Sequence, residues 1–473
     1  MGAAHRLAFH AATGVDDWRM LYCGPIAHFA TESVHAGIAF AAAVAALDEL
    51  AEHPPLIDVR PSGVTVRLHG DIMDFTDDGV ADRARVITGV ARERGLAPRP
   101  DRTQDVQIAI ASRVPVDEVR PFWRAVLGYI DHLGGDLVDP LGRWPSVWLQ
   151  QLDPEKPLQH AMHLDLAVPR EIAGRRFDAA IAAGGRVASD TAAVRYWTCA
   201  DAAGNKVDLV AWPDLPMPED EALRLGADGA GAGDISFGRP MPETAARESG
   251  PVAAHADREQ GDAVLATFRD ASDLVDWPVV FWGPTAWFRT GSLARSAELA
   301  ALLAELEGTE RVYLDLRADG LAVRLAQNPT ELVDADLDLA RRASAVAHEF
   351  GSESDPAHVQ TIQVAIASKP DDDVRPFWRE LFEYAELGAE NLIDPRGRGP
   401  SLWFQELPAE KPLRHAFHID VSVPRAVGRA RVDAALAAGG RIVDSNEQEW
   451  WTLADPAGNK VDIAIWPDRD LAE

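Results

Sequence analysis

Val119-Arg-Pro-Phe-Trp-Arg124 is repeated letter for letter as Val374-Arg-Pro-Phe-Trp-Arg379, 255 residues further along the chain. Working outward from that hexapeptide, the match continues. Between residues 153–170 and 408–425, 11 of 18 aligned positions are identical, among them His160/His415 and His163/His418. Ala182-Ala-Gly-Gly-Arg186 returns as Ala437-Ala-Gly-Gly-Arg441, and Gly204-Asn-Lys-Val-Asp208 as Gly458-Asn-Lys-Val-Asp462. Upstream the similarity thins to Asp17-Trp18 with Cys23-Gly-Pro25, against Asp276-Trp277 with Trp282-Gly-Pro284. A period of this length is far too long for a solenoid repeat, so the chain reads as a duplicated two-domain unit of α+β class.

Composition narrows the function. The chain has 473 residues, with 46 Lys and Arg against 75 Asp and Glu, a net charge of −29. That field repels nucleic-acid backbones and anionic lipid, which argues against both as partners. Cys23 and Cys199 are the only cysteines, too few for a disulfide framework or a cysteine-rich zinc site. No apolar run approaches a membrane span, and residues 1–10 do not read as a secretion signal, so a cytoplasmic location is expected. The expected divisions are a first domain at 1–98, a second at 105–213, a Gly-, Ala- and Pro-rich linker at 214–262, and the same two domains again at 263–351 and 358–468.

In the second domain, residues 106–112 (V-Q-I-A-I-A-S) alternate as a strand. Val106, Ile108 and Ile110 face one way; Gln107, Ala109 and Ala111 face the other. A helix from Asp117 to Gly128 and short strands follow, and the β-α-β-β pattern then starts afresh at His160. Two such modules, with the Asp-x-x-Gly-Asn-Lys-Val-Asp turns at 201–208 and 455–462, resemble the glyoxalase-like (vicinal oxygen chelate) superfamily. The resemblance implies paired βαβββ modules whose sheets form a cup. It also implies a divalent metal held by Gln107, His163 and Asp208 in one copy and by Gln363, His418 and Asp462 in the other, with Asp where the family usually has Glu. Gln150 and Gln405 can add a fourth ligand, and Trp148, Trp212, Trp403 and Trp466 can line a site for a flat ligand. His163/Asp165 and His418/Asp420 have the same strand parity and can instead simply hydrogen-bond inside the cup.

The first domain reads as Asp17-Trp18, an Ala-rich helix from Phe29 to Leu50, Glu52-His53-Pro-Pro55, strands at 56–60 and 64–68, and a helix from Asp77 to Arg94 capped by Thr76. This order resembles pterin-4a-carbinolamine dehydratase. That family's three histidines match only His53, with His69 if the loop shifts, or else Asp71; the second copy has Thr309, Glu310 and Asn328 there.

Three functions compete on this reading. One is a small-molecule lyase or isomerase acting on a carbonyl-bearing metabolite, with His163 and His418 as ligand or base. The second is a non-catalytic small-molecule or antibiotic binder. The third is pterin dehydration at His53 and His69. An internal pseudo-dimer, monomeric in solution, is the expected assembly.

Overall fold

The computed structural model describes residues 8–68, 79–132, 135–152, 155, 161–190, 196–211, 253–326, 328–407 and 416–465. Among them, no helix is long and apolar enough to cross a membrane. The first copy opens with β1 (Trp18–Leu21), β2 (Gly24–Ala30), helix α1 (Val34–Ala45), β3 (Leu56–Arg60), β4 (Gly63–Arg67), α2 (Val80–Glu93) and the short β5 (Ala97–Pro98). The helix expected from Phe29 starts later, because Phe29 belongs to β2 and the Ser33 side chain accepts from the Ala36 amide, capping α1. Val34, Ile38, Ala41 and Val44 form its buried stripe. Thr76 and Asp71 lie outside the described residues.

The first copy continues with β6 (Asp105–Ser112), α3 (Val116–Leu127), β7 (Ile130–Asp131), β8 (Leu137–Val138) and β9 (Ser146–Gln151). A second module follows: β10 (Met162–Val168), α4 (Arg170–Ala182), β11 (Arg186–Ser189), β12 (Tyr196–Ala200) and β13 (Lys206–Ala211). Helix α5 (Ala253–Asp270) begins inside the stretch expected as linker. The second copy then supplies β14 (Val279–Val280), β15 (Gly283–Arg289), α6 (Leu293–Ala304), β16 (Tyr313–Leu316), β17 (Gly320–Arg324) and α7 (Asp334–Glu349). Its last part holds β18 (Thr361–Ser368), α8 (Arg375–Phe382), β19 (Ala385–Leu387), β20 (Asn391–Ile393) and β21 (Ser401–Glu406). It ends with β22 (Phe417–Ser422), α9 (Arg425–Ala437), β23 (Arg441–Asn446), β24 (Trp450–Ala454) and β25 (Lys460–Ala464).

The strand pairing crosses between the copies. A nine-stranded sheet runs β1-β2-β4-β3-β16-β17-β15-β14, with β5 beside β2, so the two opening segments join edge to edge through β3 and β16. One eight-stranded sheet runs β11-β12-β13-β10-β18-β21-β20-β19, and the other β23-β24-β25-β22-β6-β9-β8-β7. Each therefore takes one module from each copy, whereas the sequence alone suggests that the two modules of one copy share a cup. Within a copy the modules meet through their helices and a buried clamp. Trp123 Nε1 donates to Asp201 Oδ2 at 2.9 Å, and Asn205 Nδ2 donates to the Ala111 carbonyl at 3.0 Å. Trp378, Asp455, Asn459 and Ala367 repeat the clamp. The Asp-x-x-Gly-Asn turn is thus a tie between modules.

Two carboxylates, Asp58 and Asp315, face each other in register where β3 meets β16. Asp315 accepts from Arg60 Nη2 at 2.7 Å and Arg143 Nε at 3.1 Å. Asp58 accepts from Arg317 Nη2 at 2.7 Å and pairs with Arg398 Nε at 2.8 Å. Each carboxylate thus holds two arginines of the opposite copy, one on or just beyond the paired strand (Arg60, Arg317) and one on a loop (Arg143, Arg398). Burial would raise the Asp315 pKa, but the surrounding guanidinium groups hold it far below the ordinary range.

Two outcomes follow from this architecture. A chain cleaved at a protease site inserted between residues 214 and 250 is expected to keep its fragments together through gel filtration, since all three sheets contain strands of both copies; dissociation of the halves into separately folded species would refute the crossed pairing. Asp58→Ala leaves Arg317 and Arg398 buried without their carboxylate and is expected to cost about 3–5 kcal/mol in urea unfolding.

Candidate metal centres in the two cups

Strand parity places the site. Val106, Ile108 and Ile110 enter the apolar core with Phe122 and Trp123, as the alternation predicts, and Ile362, Val364 and Ile366 do the same beside Phe377 and Trp378. The opposite face of each eight-stranded sheet is the cup face. Reading across the first cup, Thr198, Asp208, Asp165, Gln363 and Ser401 are successive register partners on β12, β13, β10, β18 and β21. The adjacent same-face row holds His163, Ala365, Trp403 and Asn391. In the second cup the rows are Thr452, Asp462, Asp420, Gln107 and Ser146, then His418, Ala109 and Trp148.

This regroups the ligand sets expected from the sequence. Gln107 stands with His418 and Asp462, and Gln363 with His163 and Asp208, because β6 pairs with β22 and β10 with β18. The structure also promotes two residues that the sequence reading took only as hydrogen-bond partners of the histidines. His163, Asp165 and Asp208 converge with one donor atom each within 4.8 Å of one another, as do His418, Asp420 and Asp462. The signal was present in the His-x-Asp spacing, which puts both side chains on one face of a strand.

In the first cup His163 Nε2 lies 3.2 Å from Asp165 Oδ1 and 3.6 Å from Asp208 Oδ2. These atoms are buried, yet His163 Nε2, Asp165 Oδ1 and Asp208 Oδ1 have no well-directed hydrogen-bond partner. Such a group of orphaned donor atoms is costly without something to satisfy it. Burial opposes the charge on His163, but Asp165 and Asp208 outweigh it and raise the imidazole pKa. Burial pushes the Asp208 carboxyl up to about 6 against the pull of His163. An imidazole and two carboxylates make a donor set that suits a divalent first-row metal or magnesium. The residues present fit such an ion.

The second cup repeats the arrangement more openly. His418 Nε2 lies 3.2 Å from Asp420 Oδ1 and 3.9 Å from Asp462 Oδ2, with side-chain exposures of 18% for His418 and 32% for Asp462 against 8% for His163 and 4% for Asp208. The glutamines are held by their amide nitrogens: Gln107 donates to Asp136 at 2.7 Å and Ser146 at 3.0 Å, and Gln363 to Asn391 at 3.0 Å. Gln150 and Gln405 pair with Ala111 and Ala367, one same-face row beyond the histidines.

The hairpin turns of the opening segments reach the same faces. Val280 and Phe281 join Ala167, Tyr196 and Val210 in one apolar cluster. Tyr22, at the corresponding turn of the first copy, has its phenol pKa raised well above normal by burial and by Asp420 and Asp462. Nothing in the sequence indicated that these hairpins approach the cups.

Other expected residues fall elsewhere. Trp148 is 42% exposed, and Trp403 is part-buried with its indole 3.4 Å from Glu390. Two further tryptophans that recur in both copies serve the core: Trp197 packs against Phe177, and Trp451 is buried. Trp212, Trp466 and His69 lie outside the described residues. His53 is exposed and makes no hydrogen bond or ion pair among the described residues. In the second copy Thr309 is buried and donates to the Leu306 carbonyl.

The family of the Glyoxalase-like domain matches residues 107–210 and 363–464. The chain therefore carries two glyoxalase-like domains in tandem. Glyoxalase I from Zea mays is a structural neighbour at 9% identity and a TM-score of 0.34, covering 76% of this chain and 93% of that one. A mutant of the same maize enzyme gives a TM-score of 0.36 at 9% identity, covering 76% and 94%. This likeness is too slight to transfer chemistry. No curated protein matches the chain along its sequence.

The regrouping has a direct spectroscopic consequence. Gln363→Ala is expected to move the side-chain NMR signal of His163 and leave that of His418 in place, and Gln107→Ala to do the reverse. The opposite pattern would restore the grouping by copy.

Proposed function

We propose that each cup binds one divalent cation and performs lyase or isomerase chemistry on a small carbonyl-bearing metabolite. The observation that carries this is the convergence of an imidazole and two carboxylates on each cup face, with buried, unsatisfied atoms on all three residues in the first cup and on Asp420 in the second. His163, Asp165 and Asp208 would hold the ion in one cup, and His418, Asp420 and Asp462 in the other. A cation there supplies Lewis acidity toward a carbonyl oxygen. Gln363 and Gln107, fixed through their amide nitrogens, stand on the neighbouring strand and orient a substrate oxygen. Trp403 and Trp148 offer apolar surface for the rest of the molecule.

Those two tryptophans also favour a second reading, a binder that holds a flat ligand without turning it over. The pterin dehydratase reading gains no such support, since His53 stands exposed and unpartnered among the described residues.

Metal analysis by plasma mass spectrometry, after incubation with divalent cations, is expected to give close to two ions per chain. The double variant His163→Ala/His418→Ala is expected to hold almost none while keeping its circular dichroism. A wild type that takes up no cation refutes the metal site. Mass spectrometry of carbonyl substrates incubated with the loaded protein then separates the two readings, because product supports the enzyme and unchanged ligand with saturable tryptophan quenching supports the binder.

A further inference from the structure

The cluster around Asp58 and Asp315 lines a small cleft between the nine-stranded sheet and the loops following β8 and β20. Its walls carry five guanidinium groups, those of Arg60, Arg143, Arg317, Arg324 and Arg398, against two carboxylates, an excess of three positive charges. Four of the five are accounted for by the Asp58 and Asp315 pairs. Arg324 is not. Among the described residues it makes no ion pair or hydrogen bond: Asp315 attracts it from beyond ion-pair distance, and its Cζ lies 4.7 Å from the centre of the Tyr313 ring. That ring also lies 5.3 Å from the Arg60 Cζ and so sits beside both cations.

The pseudo-symmetry shows what is missing. Arg67, the counterpart of Arg324 on β4, donates to the Gly142 carbonyl and is stabilised electrostatically by Cys23, Asp58 and Asp105. The position matching Asp105 in the second copy is Thr361, which carries no charge. Burial and the neighbouring Arg60 lower the Arg324 pKa to about 10 against the pull of Asp315. A second wall group agrees: the indole Nε1 of Trp144 is buried with no acceptor.

We propose that this cleft binds a small tetrahedral oxyanion on its Arg324 side, a phosphate or the phosphate group of a small metabolite. Guanidinium forks match the oxygens of such an ion and are the side chains best suited to hold it. A dianion offsets most of the excess charge and gives Trp144 an acceptor. It lies beside the junction of β3 with β16, so binding strengthens the join between the copies.

The test uses the full chain and inorganic phosphate, with ionic strength held constant by sodium chloride. Calorimetry is expected to show saturable binding of one phosphate per chain, with a melting temperature that climbs with phosphate concentration and not with chloride. Sulfate should substitute and acetate should not. Arg324→Gln is expected to weaken binding at least tenfold. Thr361→Asp, which restores the missing carboxylate internally, should do likewise while leaving the phosphate-free protein no less stable. Glycerol 3-phosphate binding as tightly as phosphate points to a metabolite; phosphate alone points to the free ion. Phosphate acting no differently from chloride, acetate binding equally well, or wild-type binding in both variants overturns the proposal.

Discussion

The antiparallel register that joins β10 to β18 and β6 to β22 decides what each cup contains. Asp165 opposes Gln363 and His163 opposes Ala365, with the same alignment of Asp420 on Gln107 and His418 on Ala109. Side chains on a strand alternate faces, so a slip of one residue would turn His163 and Asp165 into the core and bring Met162 and Leu164 onto the cup face. The apolar residues on the other face, packed on α3, α4, α8 and α9, resist that slip. The core therefore fixes the polar geometry.

Much of this was legible in the sequence. The alternation at 106–112 gave the correct faces, and the His-x-Asp spacing placed two candidate ligands on one side of a strand. The partner of each strand was not legible, and the reason is physical. Residues 106–112 read V-Q-I-A-I-A-S and residues 362–368 read I-Q-V-A-I-A-S, so β10 meets nearly the same surface whether it pairs with β6 or β18. Local sequence cannot choose between two equivalent edges; the choice rests on long-range packing such as the β3–β16 junction. The arginine cluster was equally hidden, since its members come from β3, β16, β17 and two loops with no shared motif. The late start of α1 was readable from Ser33, but the alanine-rich composition around it drew attention away from the cap.

Buried ion pairs like those of Asp58 and Asp315 are not reliable sources of stability, because desolvation consumes most of the Coulombic gain. Their value here is in matching. Each carboxylate is complete only when two arginines of the other copy, from different segments, arrive together. A misregistered join would strand charges in the interior, so the cluster selects one docking of the nine-stranded sheet and thereby holds the loops leading into both cups.

Because every cup is half from one copy and half from the other, a single copy possesses no complete cup. A half-length ancestor with these strands would have had to work as a pair of identical chains, with both cups bound to the same sequence. Fusion removed that bond. Joining the halves makes their meeting independent of concentration, and it frees each copy to change alone. The traces are visible where Tyr22 answers Phe281, Cys23 answers Trp282 and Asp105 answers Thr361. The tandem arrangement thus leaves the two cups free to change toward separate tasks.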